Sequence, residues 1–182
     1  SQDVLIGTAM AKPAAVTKKS RDSPSFSAVV RLAIPNKGRI AAPILDLVEK
    51  SGLHLAESGA ERRLITRTLD PHVEILFARP VDIPEYVANG AADLGITGHD
   101  MVIERESDVE ELLDLQSGRG KLVLAVHEDS GITSVKQLKG KKVATEFPVI
   151  TGRYFAQKKV DVEIVQVGGA CEATPHLGIA DA

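Results

Sequence analysis

The chain has 182 residues, enough for one domain or two small ones, and its 43% hydrophobic and 26% charged content is that of a globular protein with a real core. A net charge of −3 and 3% aromatic residues, with no Trp, exclude a broad phosphate-backbone binder and a base-stacking surface. Cys171 is the only cysteine, which excludes an internal disulfide and a thiolate zinc cluster, and no apolar run approaches the ~18–20 residues that span a bilayer.

Residues 1–28 are rich in Ser, Ala, Lys and Pro without sustained periodicity, and they read as a disordered extension. Their apolar patch at Val4-Leu5-Ile6 is too brief for a secretory core region. From Val29 the pattern turns regular. Val29 to Ile34 reads as a buried strand ended by Pro35, and Ala41 to Ser51 as a helix stopped by Gly52. Leu64 to Thr68 and Val73 to Phe77 are short strands around the turn signal Asp70-Pro71. Asp82 is expected to cap a helix from Ile83 to Asn89, with Pro84 in its first turn and Gly90 as its stop. Asp93 to Thr97 is a strand leading into a glycine turn at Gly98. A helix from Asp100 to Arg105 and a strand over Leu112 to Leu115 follow.

Gly118-Arg119-Gly120 marks the expected domain crossing, dividing residues 29–117 from residues 118–182. Beyond it come a strand (Leu122 to His127), a helix starting near Ser134, a strand (Lys142 to Thr145), a helix (Thr151 to Lys158) and a strand (Val162 to Val167). Ala170 to Ile179 is expected to be a last helix with Pro175 early in it. Alternating strands and helices imply an α/β fold with parallel sheets and crossover helices. Ligands of such sheets bind outside the carboxyl ends of the strands, which is where the polar and glycine residues of this chain fall.

Four segments there can carry chemistry. In Asn36-Lys37-Gly38-Arg39 a helix start offers backbone N–H groups, Lys37 and Arg39 add positive charge, and Gly38 allows close approach; the segment fits a phosphate, or else is a solvated basic turn. Arg79 ends an apolar strand, where its guanidinium can grip a phosphate or carboxylate or pair with Asp82. In Asp93-Leu94-Gly95-Ile96-Thr97-Gly98 the glycines signal close approach of a ligand or of packed backbone. Gly168-Gly169-Ala170-Cys171-Glu172 makes a backbone cradle with a carboxylate at its mouth, suited to ribose hydroxyls, a metal-bridged pyrophosphate or a proton. Glu146 and Arg153 also lie near strand ends and complete the set. Cys171 has no histidine placed to activate it as a nucleophile, and the five histidines lie too far apart in sequence to form a helical metal pair, so no metal-ligating residues are assigned. The acidic run from Glu104 to Asp114 reads as a solvated face.

The order of the segments, IPNKGRI (34–40), LFARPVDIPEYVANGAADLGITGHD (76–100), KKVATEFP (141–148), RYF (153–155) and GACEATPHLGIADA (169–182), resembles the ATP phosphoribosyltransferase family, in particular its archaeal branch. The resemblance covers nearly all of Val29 to Ala182. It implies two α/β domains of periplasmic-binding-protein type II with an active site in the interdomain cleft. It also implies a cytoplasmic transferase of histidine biosynthesis that joins the phosphoribosyl group of phosphoribosyl pyrophosphate to N1 of ATP and releases pyrophosphate with Mg²⁺, as a homo-oligomer at full length and with no nucleic-acid or membrane partner.

Carried over by position, Lys37, Gly38, Arg39, Arg79, Asp93, Gly95, Gly98, Glu146 and Arg153 would bind ATP or phosphate. Gly169 and Glu172 would bind phosphoribosyl pyrophosphate, with Glu172 as the catalytic carboxylate. Two departures stand out. Gly152 replaces a basic residue common in the family, and the family continues past the Ala-Asp-Ala of residues 180–182 into its phosphoribosyl pyrophosphate loop. The chain is therefore expected to be a fragment, with both domains incomplete and no turnover by itself. The alternative from another class is a non-catalytic small-molecule-binding module on the same fold.

Overall fold

The computed structural model describes residues 8–11, 13–18, 29–56, 64–116 and 118–182. Its strands are β1 (Thr8–Ala11), β2 (Pro13–Lys18), β3 (Val30–Pro35), β4 (Ile65–Arg67), β5 (Val73–Ala78), β6 (Leu94–Gly98), β7 (Val109–Asp114), β8 (Gly120–Val123), β9 (Lys142–Thr145) and β10 (Glu163–Gln166). Its α-helices are α1 (Ala41–Lys50), α2 (Ile83–Ala88), α3 (His99–Arg105) and α4 (Pro148–Lys158). The contacts divide the chain into two compact units, residues 11–119 and residues 120–182, the latter joined by most of β1.

The first unit is built on a six-stranded sheet of order β4-β5-β3-β6-β2-β7. Its centre is parallel: β3 runs beside β5 from Val30↔Val73 to Pro35↔Ala78, and beside β6 at Leu32↔Leu94 and Ala33↔Gly95. The two-residue period of these strands loads both faces. Leu32 and Ile34 of β3 and Ile75 and Phe77 of β5 pack with Ile44 and Val48 of α1. Ala33 of β3 and Leu76 and Ala78 of β5 pack with Ile83 and Val87 of α2. Burial on both faces explains why these strands read as apolar runs once past Arg31 and Glu74 at their amino ends. Helix α1 follows from Ile44 and Val48, four residues apart and therefore on one side of the helix.

The sheet is mixed, which corrects the expectation of parallel sheets. β4 is antiparallel to β5, because the Asp70 turn reverses the chain directly: Val73 N–H donates to Asp70 O (3.1 Å) and His72 N–H to the Asp70 carboxylate (2.8 Å). β2 lies antiparallel between β6 and β7, with a register shift at Ala15/Val16. The reading of residues 1–28 as a disordered extension therefore fails at residues 8–11 and 13–18; its remainder, residues 1–7, 12 and 19–28, lies outside the described residues. A short strand held by ladder hydrogen bonds to two neighbours needs no amphipathic period, so composition did not reveal it.

In the second unit β9 and β10 pair in parallel, from Glu163↔Lys142 to Gln166↔Thr145, and β8 pairs with β1. Ala182 N–H donates to Lys142 O (3.2 Å) and Ala144 N–H to Ala182 O (2.8 Å), so the end of the chain runs beside β9. Val126, Ile132, Leu138, Val143, Phe155 and Val160 form the core. Two expected helices are shorter here. The one near Ser134 is a single 3-10 turn, Val135–Leu138, because Lys139 turns extended and Gly140 takes φ +74°. Ala170 to Ile179 keeps only the 3-10 turn Cys171–Ala173. Pro175 has no N–H to give to Cys171 O, and the Thr174 hydroxyl takes that carbonyl instead (2.7 Å).

Candidate functional site

Three parallel strand ends converge at the carboxyl edge of the first unit. Asn36 N–H, just past β3, continues the ladder to Ala78 O of β5 (2.8 Å). The exposed turn from Asn36 to Arg39 then feeds α1. Gly38 sits at φ +90° with open space around its Cα, so glycine is needed there for backbone conformation and not for room. No side chain caps α1 and no acidic residue lies in its first turn; Ala41 N–H donates to Gly38 O (3.2 Å) and Pro43 has no N–H, so Ala42 N–H is the first-turn amide left for an anion. Lys37 and Arg39 are exposed, and neither makes an ion pair with any other described residue.

Arg79, at the end of β5, grips Asp82 with both arms: Nε to Oδ2 at 2.6 Å and Nη2 to Oδ1 at 3.2 Å. Asp82 occupies the N-cap position of α2 without a side-chain capping bond, which corrects the expected cap; its carboxylate is committed to the arginine. The fully buried Thr97 of β6 donates its hydroxyl to Pro80 O (2.7 Å) and fixes the Arg79–Asp82 turn against the sheet.

Gly98 ends β6 with the carboxylate of Asp100 folded back over it; a Cβ at residue 98 would collide with that carboxylate oxygen. Burial raises the Asp100 carboxyl above the ordinary carboxylate range, against the smaller opposing pull of the Met101 and Asp100 backbone N–H groups. Sequence reading missed Asp100. The signal was there: a Gly-x-Asp step at a strand's carboxyl end, immediately before a helix. Because its folded pKa is raised, ionised Asp100 is disfavoured by the fold. Stability is lost as pH rises from the ordinary carboxylate value through the folded one. Asp100→Asn should therefore stabilise the first unit at pH 7, with the gain vanishing below about pH 3.9, the unperturbed value. Urea denaturation at both pH values checks this.

Asp93 and Gly95 lie elsewhere. Asp93 precedes β6, and its carboxylate accepts from Arg31 N–H (2.8 Å) at the amino end of β3. The Arg31 guanidinium bonds Glu74 (2.6 and 2.9 Å) and Ala91 O (3.0 Å), so Asp93 belongs to a cluster that pins the amino ends of the strands. Gly95 is buried inside the sheet, opposite Ala33 of β3 and Val16 of β2. The structure does not bring either of them together with Lys37, Arg39, Arg79 and Gly98.

The second unit gathers its own set where β9 and β10 end. Val167 N–H donates to Thr145 O (3.0 Å), which holds the two strand ends side by side. Exposed Glu146 follows β9, and its carboxylate lies over Gly169, where a Cβ would come within 3.4 Å of it. Gly169 at φ +139° and Ala170 at φ +52° bend the chain sharply and present Glu172 on the exposed side of the 3-10 turn. Cys171 is half-buried, and burial, then the nearby Glu146 and Glu172 charges, push its thiol pKa up despite a pull from the Glu146 backbone N–H. It stays a thiol, as an inert residue should. Arg153 lies exposed midway along α4. At Gly152 a Cβ would make ordinary contact with Ile164 (3.5 Å), so packing does not demand glycine there.

A cavity of about 120 Å³ in this unit is lined by Leu122, Leu124, Val143, Ile150, Tyr154 and Cys171, among others. Its apolar walls hold no charge that could recognise phosphate, so it is not the candidate site. Among the described residues no cluster of three or more His, Cys, Asp and Glu can hold a metal ion, and no helix is long and apolar enough to cross a membrane.

Comparison with known proteins adds to this picture. The chain is 54% identical over 154 residues to the ATP phosphoribosyltransferase of Methanosarcina mazei, a match covering 85% of this chain and 53% of that protein. It is 56% identical to that of Methanocella arvoryzae, covering 85% and 54%. The chain thus spans about half the length of the curated relatives it matches. Among solved structures, the ATP phosphoribosyl transferase (HisG:HisZ) complex from Thermotoga maritima superposes with a TM-score of 0.68 at 28% identity, over 84% of this chain and 71% of that one. The family model described as HisG, ATP phosphoribosyltransferase, matches residues 79–182, which is more than half of the chain and includes the arginine turn, Gly98, Asp100 and the glycine cradle. The chain belongs to the ATP phosphoribosyltransferase family.

Proposed function

We propose that this chain carries substrate-binding parts of an enzyme that transfers the phosphoribosyl group of phosphoribosyl pyrophosphate to N1 of ATP. The observation that carries the reading is the gathering of Lys37, Gly38, Arg39 and Arg79 at the carboxyl ends of β3 and β5, in a family whose relatives bear that activity in their names. Lys37 and Arg39 supply charge for the ATP phosphates, Ala42 N–H at the start of α1 supplies a donor, and Arg79 supplies a fork once it turns from Asp82. Gly169 and Glu172, after β10, take the phosphoribosyl group: the glycine turn admits it closely and Glu172 accepts from its ribose hydroxyls. Arg153 adds positive charge to that unit.

In this reaction the adenine N1 lone pair forms a bond to the anomeric carbon as the bond to pyrophosphate breaks, and pyrophosphate departs with both electrons. Such a step asks for orientation and charge stabilisation, not for a covalent nucleophile. That agrees with a cysteine held as a thiol. Magnesium enters with phosphoribosyl pyrophosphate as part of the substrate and offsets the charge of the leaving group. The reading places the protein in the cytoplasm, where ATP is available, as a homo-oligomer.

The test is formation of phosphoribosyl-ATP from ATP and phosphoribosyl pyrophosphate with Mg²⁺, using residues 29–182 grafted in place of the matching segment of the Methanosarcina mazei relative. Product is expected. A well-folded graft that forms none, and instead binds an unrelated solute tightly, would establish a non-catalytic binding module.

A further inference from the structure

The Arg79–Asp82 pair presents a difficulty for a phosphate ligand. Asp82 has 17% of its side chain exposed, against 59% for Arg79, so the carboxylate is the half that loses more when the pair opens. A second guanidinium resolves this. Arg105, the last residue of α3, reaches the same carboxylate, with Nη2 3.4 Å from Oδ1, while its Nε donates to Val81 O at 3.0 Å. Two arginines thus share one carboxylate, and the turn between them is held independently by Thr97 on Pro80 O and by Arg105 on Val81 O.

We infer that Arg105 is a positioning residue for Arg79: it keeps Asp82 compensated when Arg79 turns to an anionic ligand, so that phosphate binding does not strand a carboxylate. This role rests on the reading of Arg79 as a nucleotide-phosphate ligand. Arg105 itself stays on Asp82 and Val81 and does not touch the ligand. Without it Asp82 holds Arg79 alone, and the ligand must break that pair entirely.

ATP titrations by calorimetry on the full chain test the role, with Arg79→Ala, Arg105→Gln, Arg105→Lys, Asp82→Asn and the double variant Asp82→Asn/Arg105→Gln. Arg105→Gln should weaken ATP binding roughly fivefold to tenfold, within the usual range of coupling between groups that share a partner. Arg105→Lys should restore part of it. In the Asp82→Asn background, Arg105→Gln should change affinity little, because nothing is left to hold Arg79 back. A loss that persists in full in that background would mean that Arg105 binds phosphate directly or serves only the fold, and would overturn the role. The outcomes also separate the two readings. A wild-type chain that binds no ATP overturns the nucleotide reading and this role with it. Binding that Arg79→Ala abolishes and Arg105→Gln leaves unchanged overturns the role of Arg105 alone.

Discussion

Phe155→Ala should lower the stability of the second unit by about 3–5 kcal/mol, the usual cost of emptying a buried aromatic position. Phe155 is 2% exposed in the second half of α4 and packs in the cluster that holds Val126, Leu138, Val143 and Val160. Its ring stands edge-on to Tyr154, with centroids 5.4 Å apart, and that aromatic contact disappears with it. The existing cavity already lies against Phe155, so truncation enlarges a space that its neighbours have not closed. The unit is small, and a loss of this size is a large fraction of what such a domain has. The first unit draws on separate cores around Ile34, Ile75 and Val87. Hydrogen exchange should therefore show lost protection in β9, β10 and α4, with β3 and β5 retained. Equal loss in β3 and β5 would mean that the two units do not fold on their own cores.

Glu172→Ala should reduce turnover by about 10²–10⁴-fold, the range for a group that orients a reactant or moves a proton. Glu172 is exposed on its 3-10 turn, and no hydrogen bond or ion pair ties it to another described residue, so the fold does not depend on it. What holds the turn is elsewhere: the Thr174 hydroxyl on Cys171 O, and Ala173 N–H on Ala170 O at 3.0 Å. Gly169 and Ala170 take positive φ just before this turn, and on the proposed reading Glu172 serves a ligand rather than the fold. The graft described above allows the measurement, with circular dichroism to verify folding. Glu172→Gln separates the roles, since it keeps an acceptor for ribose hydroxyls but cannot take a proton. Wild-type rates in the alanine variant would remove Glu172 from the mechanism.

Much of this arrangement is legible in the residues. β3 and β5 announce themselves as apolar runs because both faces are covered, and the boundaries of β9 match the sequence reading residue for residue. The basic turn, Arg79 and the glycine cradle follow from one rule, that α/β ligands sit at strand carboxyl ends. Asp93 shows where that rule was applied too loosely. It lies on the amino side of β6, and strand direction alone sends it to the far edge, beside Arg31. Asp100, on the carboxyl side of the same strand, lies at the edge that the rule names. β2 stayed hidden because ladder hydrogen bonds are made by backbone, which composition does not report. The end of the chain misled for a different reason. Residues 170–179 have helix-compatible spacing, but Pro175 and the left-handed turns at Ala170 and Gly178 break the ladder that spacing presumes.

The most direct measurement is residue-resolved NMR of the chain titrated with ATP. The account predicts saturable shifts concentrated at residues 36–40, 79–82 and 98–100, lost in Arg79→Ala. Saturation confined to the amino ends of the strands around Arg31 and Asp93, or no saturation at all, would contradict it.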